Sequence, residues 1–175
     1  MNKFSILKVC VLILLNVALL NAEENYLNID ANHFEANKQK NILSFKGDVK
    51  MTKNKDILLC QKLLINTETS KKDKTKQIPK DYTATGDVSF TVHTVDNILK
   101  GKGDVVHYYP KQKKYIIIGN GFLEDTKEGK KIIAEKIYID ELTGRTKIDG
   151  GKNKPVKFRL RLNEKNDTNS TKEKK

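Results

Sequence analysis

Two short patterns alternate along this chain, and together they restrict it to a stack of β-hairpins. The first centres on a glycine followed by Asp or Asn: Phe45-Lys46-Gly47-Asp48-Val49-Lys50-Met51, then Ala84-Thr85-Gly86-Asp87-Val88-Ser89-Phe90. A weaker copy is Ile118-Gly119-Asn120-Gly121-Phe122-Leu123. Around the first glycine Leu43, Phe45, Val49 and Met51 hold odd positions, and around the second Tyr82, Ala84, Val88, Phe90 and Val92 hold even ones. Side chains alternate across a strand, so each set forms one apolar row on one face.

The second pattern reads apolar, any, small, two of any kind, apolar. It fits Ile29, Ala31 and Phe34; Leu58, Cys60 and Leu63; Gly101, Gly103 and Val106; and Ile132, Ala134 and Ile137, with Gly101 standing where the others have an apolar residue. In the last three copies the row continues with Ile65, Tyr108 and Ile139. The step of three after the small residue breaks the period of two, which predicts a β-bulge or sharp bend there. The small residues at 31, 60, 103 and 134 recur roughly every 30 to 40 residues, so each unit holds about two or three strands and cannot bury its apolar face alone.

Turn-forming clusters separate the strands: residues 37–41, 54–56, 96–97, 110–113, 127–129, 143–144 and 150–155. The polar stretch Thr67 to Lys80 reads as a mobile insertion in a hairpin. Residues 163–175 contain no large apolar side chain and read as a disordered polar tail.

The chain begins with Lys3, Lys8 and an uncharged stretch from Val9 to Leu20, the form of a secretory signal. That stretch is shorter than the roughly 20 apolar residues of a spanning helix. A signal peptide over 1–22, cleaved after Ala22, is therefore expected, a retained anchor being the alternative. Cleavage removes Lys3 and Lys8 and no acid, taking the formal charge from +12 to +10. Anionic partners would suit this charge, although lysine dominance can also follow from genome composition. Cys60 is then the sole cysteine, so no internal disulfide can staple an exported chain, and a buried apolar role is expected for it. About 150 residues remain, enough for one domain.

The glycine-Asp/Asn strand followed by the small-residue strand resembles the repeat of the LptA family, also called OstA-like proteins, over residues 26–162. The resemblance implies an all-β domain at 23–162: a twisted antiparallel β-jelly roll, open at both ends and built from hairpin units. It implies a periplasmic protein that carries lipopolysaccharide or lipooligosaccharide from inner to outer membrane. It also implies partners among the inner- and outer-membrane transport components, joined by edge-strand pairing, and head-to-tail self-association. The same repeat occurs in the anchored inner-membrane component and in the N-terminal domain of the outer-membrane translocon. Chain length and the short leader point to the free periplasmic member.

Shielding lipid is physically demanding, since each buried methylene is worth about 0.8 kcal/mol and exposing a whole acyl chain costs on the order of 10 kcal/mol. The candidate lining from the first pattern is Val49, Met51, Val88 and Phe90. The second pattern supplies Leu58, Leu63, Ile65, Val106, Tyr108, Ile132, Ile137 and Ile139. The competing reading of these residues is a filled core, which would suit a non-transporting β-repeat module or a tethered component. Ile116 to Leu123 is apolar on both faces and has no assigned orientation. Lys100, Lys102, Lys130 and Lys131 are candidate rim cations for lipid phosphates, the alternative being solvated surface charge.

His33, His93 and His107 occur singly, without a nucleophile motif, carboxylate pair or phosphate-binding loop, so no enzyme is expected. One mature Cys and three scattered His give no metal-ligand spacing, and no cofactor is implied. Export, the absence of Trp and the lack of an aromatic stacking motif argue against nucleic acid. Around Asn166 and Asn169 the tail resembles an acid-containing N-glycosylation sequon, which chance in a polar tail would also produce.

Overall fold

The computed structural model describes residues 26–162. The expected leader at 1–22, the polar tail at 163–175 and the sequon asparagines Asn166 and Asn169 lie outside the described residues.

Ten strands follow in chain order: β1 Leu27–Asp30, β2 His33–Asn37, β3 Ile42–Lys53, β4 Asp56–Thr69, β5 Gln77–His93, β6 Ile98–Tyr109, β7 Lys114–Asp125, β8 Lys130–Asp140, β9 Arg145–Asp149 and β10 Lys157–Arg159. Among the described residues helix is confined to a single 3-10 turn, Pro110–Gln112. From β3 to β8 every strand pairs antiparallel with its chain neighbour, so the sheet is a meander. β1 and β2 both pair with β3, and β9 and β10 both pair with β8. The result is the open all-β jelly roll anticipated above, with both lateral edges unpaired among the described residues.

A line of register breaks crosses the whole sheet and bends it into two halves. Lys46 pairs with Lys62 and Val49 with Cys60, so β3 takes three steps where β4 takes two. The same happens where Thr85 to Val88 faces Val105 to Gly103, and where Ile118 to Gly121 faces Lys136 to Ala134. The extra residue therefore belongs to the glycine-Asp/Asn strand, whereas the sequence pattern pointed to the small-residue strand as the irregular one. The cause is backbone conformation: Gly47 and Asp48 have φ of 79° and 46°, Gly86 and Asp87 80° and 48°, Gly119 and Asn120 73° and 48°. Two consecutive left-handed residues turn a strand sharply, and glycine with Asp or Asn accepts this at least cost. The small residues opposite allow close approach, and a Cβ on Gly103 would meet the Ile117 side chain at 2.6 Å.

On one side of the bend lies the front half-sheet, made of β1, β10 and the strand segments 49–53, 56–60, 88–93, 98–103, 121–125 and 130–134. The back half-sheet consists of β2, β9 and the segments 42–46, 62–69, 77–85, 105–109, 114–118 and 136–140. Their inner faces supply a single apolar cluster that includes Val49, Val88 and Ile132 from the front and Leu63, Ile117 and Ile137 from the back. Alternation thus sends one face of each half inward and leaves the other to solvent.

Half of the stretch from Thr67 to Lys80, residues 67–69 and 77–80, is strand, so the insertion read from its polarity narrows to the hairpin turn at 70–76. Thr67, Glu68 and Thr69 pair with Pro79, Ile78 and Gln77. Only 70–76 turn, closed by Ser70 N–H donating to the Lys76 carbonyl at 2.8 Å and by Thr75 N–H donating to the Asp73 carboxylate at 3.0 Å. Pro79 lies opposite Thr67 at the register break between Asn66 and Thr67, and β6 does not pair with β5 beyond Tyr82, so the ladder is already interrupted where its N–H is missing.

Candidate functional site

All twelve candidate lining residues project into the space between the two half-sheets, but to different depths. Val49, Leu63, Ile65, Val88, Val106, Ile132 and Ile137 are covered by neighbouring side chains, with Leu63 and Ile137 at 0% exposure. They form a packed interior, from which Val106 also reaches the cavity toward the strand ends. Met51, Leu58, Phe90, Tyr108 and Ile139 are only partly buried.

Toward the strand ends the halves separate around a cavity of about 230 Å³. Met51, Leu58 and Phe90 border it from the front half, and Tyr82, Tyr108 and Tyr115 from the back half. The three tyrosines are direct cross-strand neighbours on β5, β6 and β7. Their rings stack in a ladder, with centroids 5.9 Å apart for Tyr82 and Tyr108 and 4.4 Å for Tyr108 and Tyr115. Burial pushes the Tyr82 phenol up, and pushes Tyr115 far up with Tyr108, Glu141 and Asp56 adding to the effect. Both phenols thus keep their protons at neutral pH and can donate hydrogen bonds at the edge of an otherwise apolar space. Lys53 and Asp56, flanking the β3–β4 turn, complete the rim.

Phe90 owes its position to a glycine. Gly101 lies directly opposite it on β6, and a Cβ there would collide with the Phe90 ring. The ring lies across the vacant side-chain position, so the third copy of the small-residue pattern departs from the others where a bulky neighbour fills the space.

Sequence reasoning missed Leu27, Tyr82, Ala84, Val92, Pro110 and Tyr115, all of which border the cavity. Tyr82, Ala84 and Val92 belonged to the even-numbered row around Gly86, so alternation would have found them; nothing local marked Leu27, Pro110 or Tyr115. The ambiguous run on β7 is settled by register: Ile117 faces Val106 and Ile137 and is fully buried, while Ile116 and Ile118 face outward.

The proposed rim lysines lie elsewhere. Lys100, Lys102 and Lys131 are on the outer surface of the front half-sheet, Lys131 within 3.0 Å of Glu124, and Lys130 pairs with Glu128 at 2.6 Å in the turn after β7. Cys60 is buried at the bend, and burial pushes its thiol up to about 11. His107 bonds Thr83 at 3.0 Å, and His93 lies 3.5 Å from Asp56. Among the described residues no group of three His, Cys, Asp or Glu side chains is placed to hold a metal ion. No helix among them is long and apolar enough to cross a membrane.

Comparison with known proteins bears on this architecture. The model of a family described as LptA/(LptD N-terminal domain) LPS transport protein matches residues 28–145. No curated protein sequence matches the chain. Among solved structures, the fold resembles LptH from Pseudomonas aeruginosa, the LptA homologous periplasmic component of the conserved lipopolysaccharide transport device. The TM-score is 0.65 at 13% identity, over 79% of this chain and 97% of that one.

Proposed function

Because the chain belongs to the LptA/LptD N-terminal domain family of LPS transport proteins, we propose that it is the periplasmic carrier that shields the acyl chains of lipopolysaccharide or lipooligosaccharide between the two membranes. The observation that carries this reading is the parted end of the interior, where Met51, Leu58 and Phe90 face the tyrosine ladder across an apolar cavity. Acyl chains would lie against these residues, and the phenols and Lys53 would meet the polar part of the lipid. The leader over residues 1–22 would direct export, and N-terminal sequencing of the purified protein should begin at Glu23. The unpaired edges would link it to the inner- and outer-membrane components and to further copies of itself, head to tail; each carries an exposed phenylalanine, Phe34 on β2 and Phe158 on β10.

A second reading, a β-repeat interaction module with no lipid path, draws on the seven lining candidates that are covered by protein. Photo-crosslinking in cells separates the two. A photoreactive residue at Met51 or Phe90 should capture lipopolysaccharide, and one at Lys72, in the turn after β4, should not. Equal capture at all three positions, or none at any, would remove the carrier reading. Depleting the protein should stop lipopolysaccharide from reaching the cell surface.

A further inference from the structure

The outward surface of the front half-sheet is unlike that of the back. Register places Ile57 and Leu59 of β4, Lys100 and Lys102 of β6 and Phe122 of β7 on this outer side. They line a shallow trough of about 540 Å³. Ile57 and Leu59 are 40% and 44% exposed, and at the tip of the adjoining β5–β6 turn Val95 is completely exposed. Lys55, in the neighbouring turn, and Lys100 and Lys102 are exposed and form no ion pair among the described residues.

The nearby carboxylates are largely occupied. Glu124 is held by Lys131 at 3.0 Å, and Asp96, beside Val95, is ion-paired with Lys127. The carboxylates at the bend lie on the far side of the trough from the turns; Asp48 and Asp104 accept hydrogen bonds from Asn32 and Asn120 at 3.3 and 3.1 Å, and Asp87 is exposed there. On the outer surface of the back half-sheet Lys46, Lys62 and Lys136 also form no ion pair among the described residues, but the apolar residues there, Leu64, Val105, Ile116 and Ile118, are half-buried, and Lys114 and Lys147 pair with Asp140 at 3.6 Å and Asp149 at 3.4 Å. Exposed apolar side chains beside unneutralised cations therefore occur together on one outer face and one set of turns.

We propose that this face seats the protein on a bilayer containing anionic phospholipid. Val95, Ile57 and Leu59 enter the interfacial region, while Lys55, Lys100 and Lys102 meet lipid phosphates. Charge complementarity selects this occupant: lysines near an anionic leaflet gain attraction that decays within a Debye length, and small apolar side chains add hydrocarbon burial. The docking surface is the outside of the sheet, although Ile57 and Phe90 border both it and the inner cavity.

The chain has no tryptophan, so one introduced residue reports its own surroundings. In the exported protein, Val95→Trp should shift its emission to the blue with vesicles of equimolar phosphatidylcholine and phosphatidylglycerol, and not with phosphatidylcholine alone. Leu142→Trp, at an exposed apolar site in the turn between β8 and β9, should not shift. In vesicle co-sedimentation Lys100→Glu with Lys102→Glu should lower the bound fraction at least about tenfold. Lys46→Glu with Lys62→Glu makes the same charge change on the outer side of the back half and should lower it less than about threefold. Equal losses for the two pairs, equal shifts at both tryptophans or no vesicle binding would overturn the proposal, and the tryptophan readout retains every lysine.

Discussion

Ile137 and Phe90 face the same interior, yet one is sealed in and the other borders open space. Near the bend the inner face carries Cys60, Ala84, Gly103, Gly121 and Ala134, and these let the half-sheets close until Leu63, Ile117 and Ile137 lose contact with water. Farther along the strands the inner positions hold Met51, Leu58, Phe90 and three tyrosines, whose bulk keeps the halves apart. The parting is local, since in the cross-strand rows of Phe90 and Tyr82 the side chains of Ile132 and Ile65 stay buried. A packed wedge supplies stability and leaves the parted end free for other work.

The widest contrast should be in thiol chemistry. Cys60 sits at the closed end, is buried, and with its thiol at about 11 carries roughly 100-fold less thiolate at pH 8 than one with the ordinary value. From the folded state its modification should quicken about tenfold per pH unit up to that value and keep rising above pH 9, where an ordinary thiol levels off, since the thiolate is the reactive form. Its reaction with an aromatic disulfide reagent at pH 8 should require opening of the fold and be slower than that of Met51→Cys by several orders of magnitude. Similar rates would mean that the bend region opens as readily as the cavity.

Truncation should show the same ordering in urea unfolding. Leu63→Ala removes fully buried bulk and should cost about 2 to 5 kcal/mol, and Met51→Ala, at the cavity, about 1 kcal/mol because part of its surface is already exposed. Equal costs would show that the cavity side chains are core as well. At the bend itself, Gly47→Ala combines a left-handed φ with a Cβ placed 2.7 Å from the Asn32 amide and should cost roughly 1 to 3 kcal/mol. Asp48→Gly, at φ 46°, should change stability by less than about 1 kcal/mol. Similar in size to Met51→Ala, Tyr115→Phe should cost on the order of 1 kcal/mol, by removing the hydroxyl that hydrogen-bonds Tyr108.

Much of this architecture was legible in the amino-acid order because alternation reports which face a side chain occupies. The rows through Gly47 and Gly86 identified inward-facing residues, and the repeated small residue located the bend. Alternation does not report depth: Leu58 and Leu63 belong to the same pattern, yet one borders the cavity and the other is sealed, a difference made by residues on strands distant in sequence. Where both faces were apolar, as in Ile116 to Leu123, only pairing with Val106 and Ile137 fixed the orientation. Polarity misled at the two ends of Thr67 to Lys80, since β-branched threonines and neighbouring strands hold an extended conformation despite the lysines nearby. The rim lysines were misplaced for a related reason: Lys100 and Lys102 alternate with Gly101, whose missing side chain hid the inward row.

Each lateral edge of the sheet is kinked. β1 and β2 meet at Ala31 and Asn32, where Asn32 N–H donates to the Gly47 carbonyl at 3.0 Å, and β9 and β10 are divided by residues 150–156. A straight peptide can hydrogen-bond along only one arm of such an angular border. A chain broken at the matching place can follow both arms at once. The kink therefore acts as a shape filter on self-association: it starves amyloid-like stacking of a long flat template while favouring any extension that repeats the same angle.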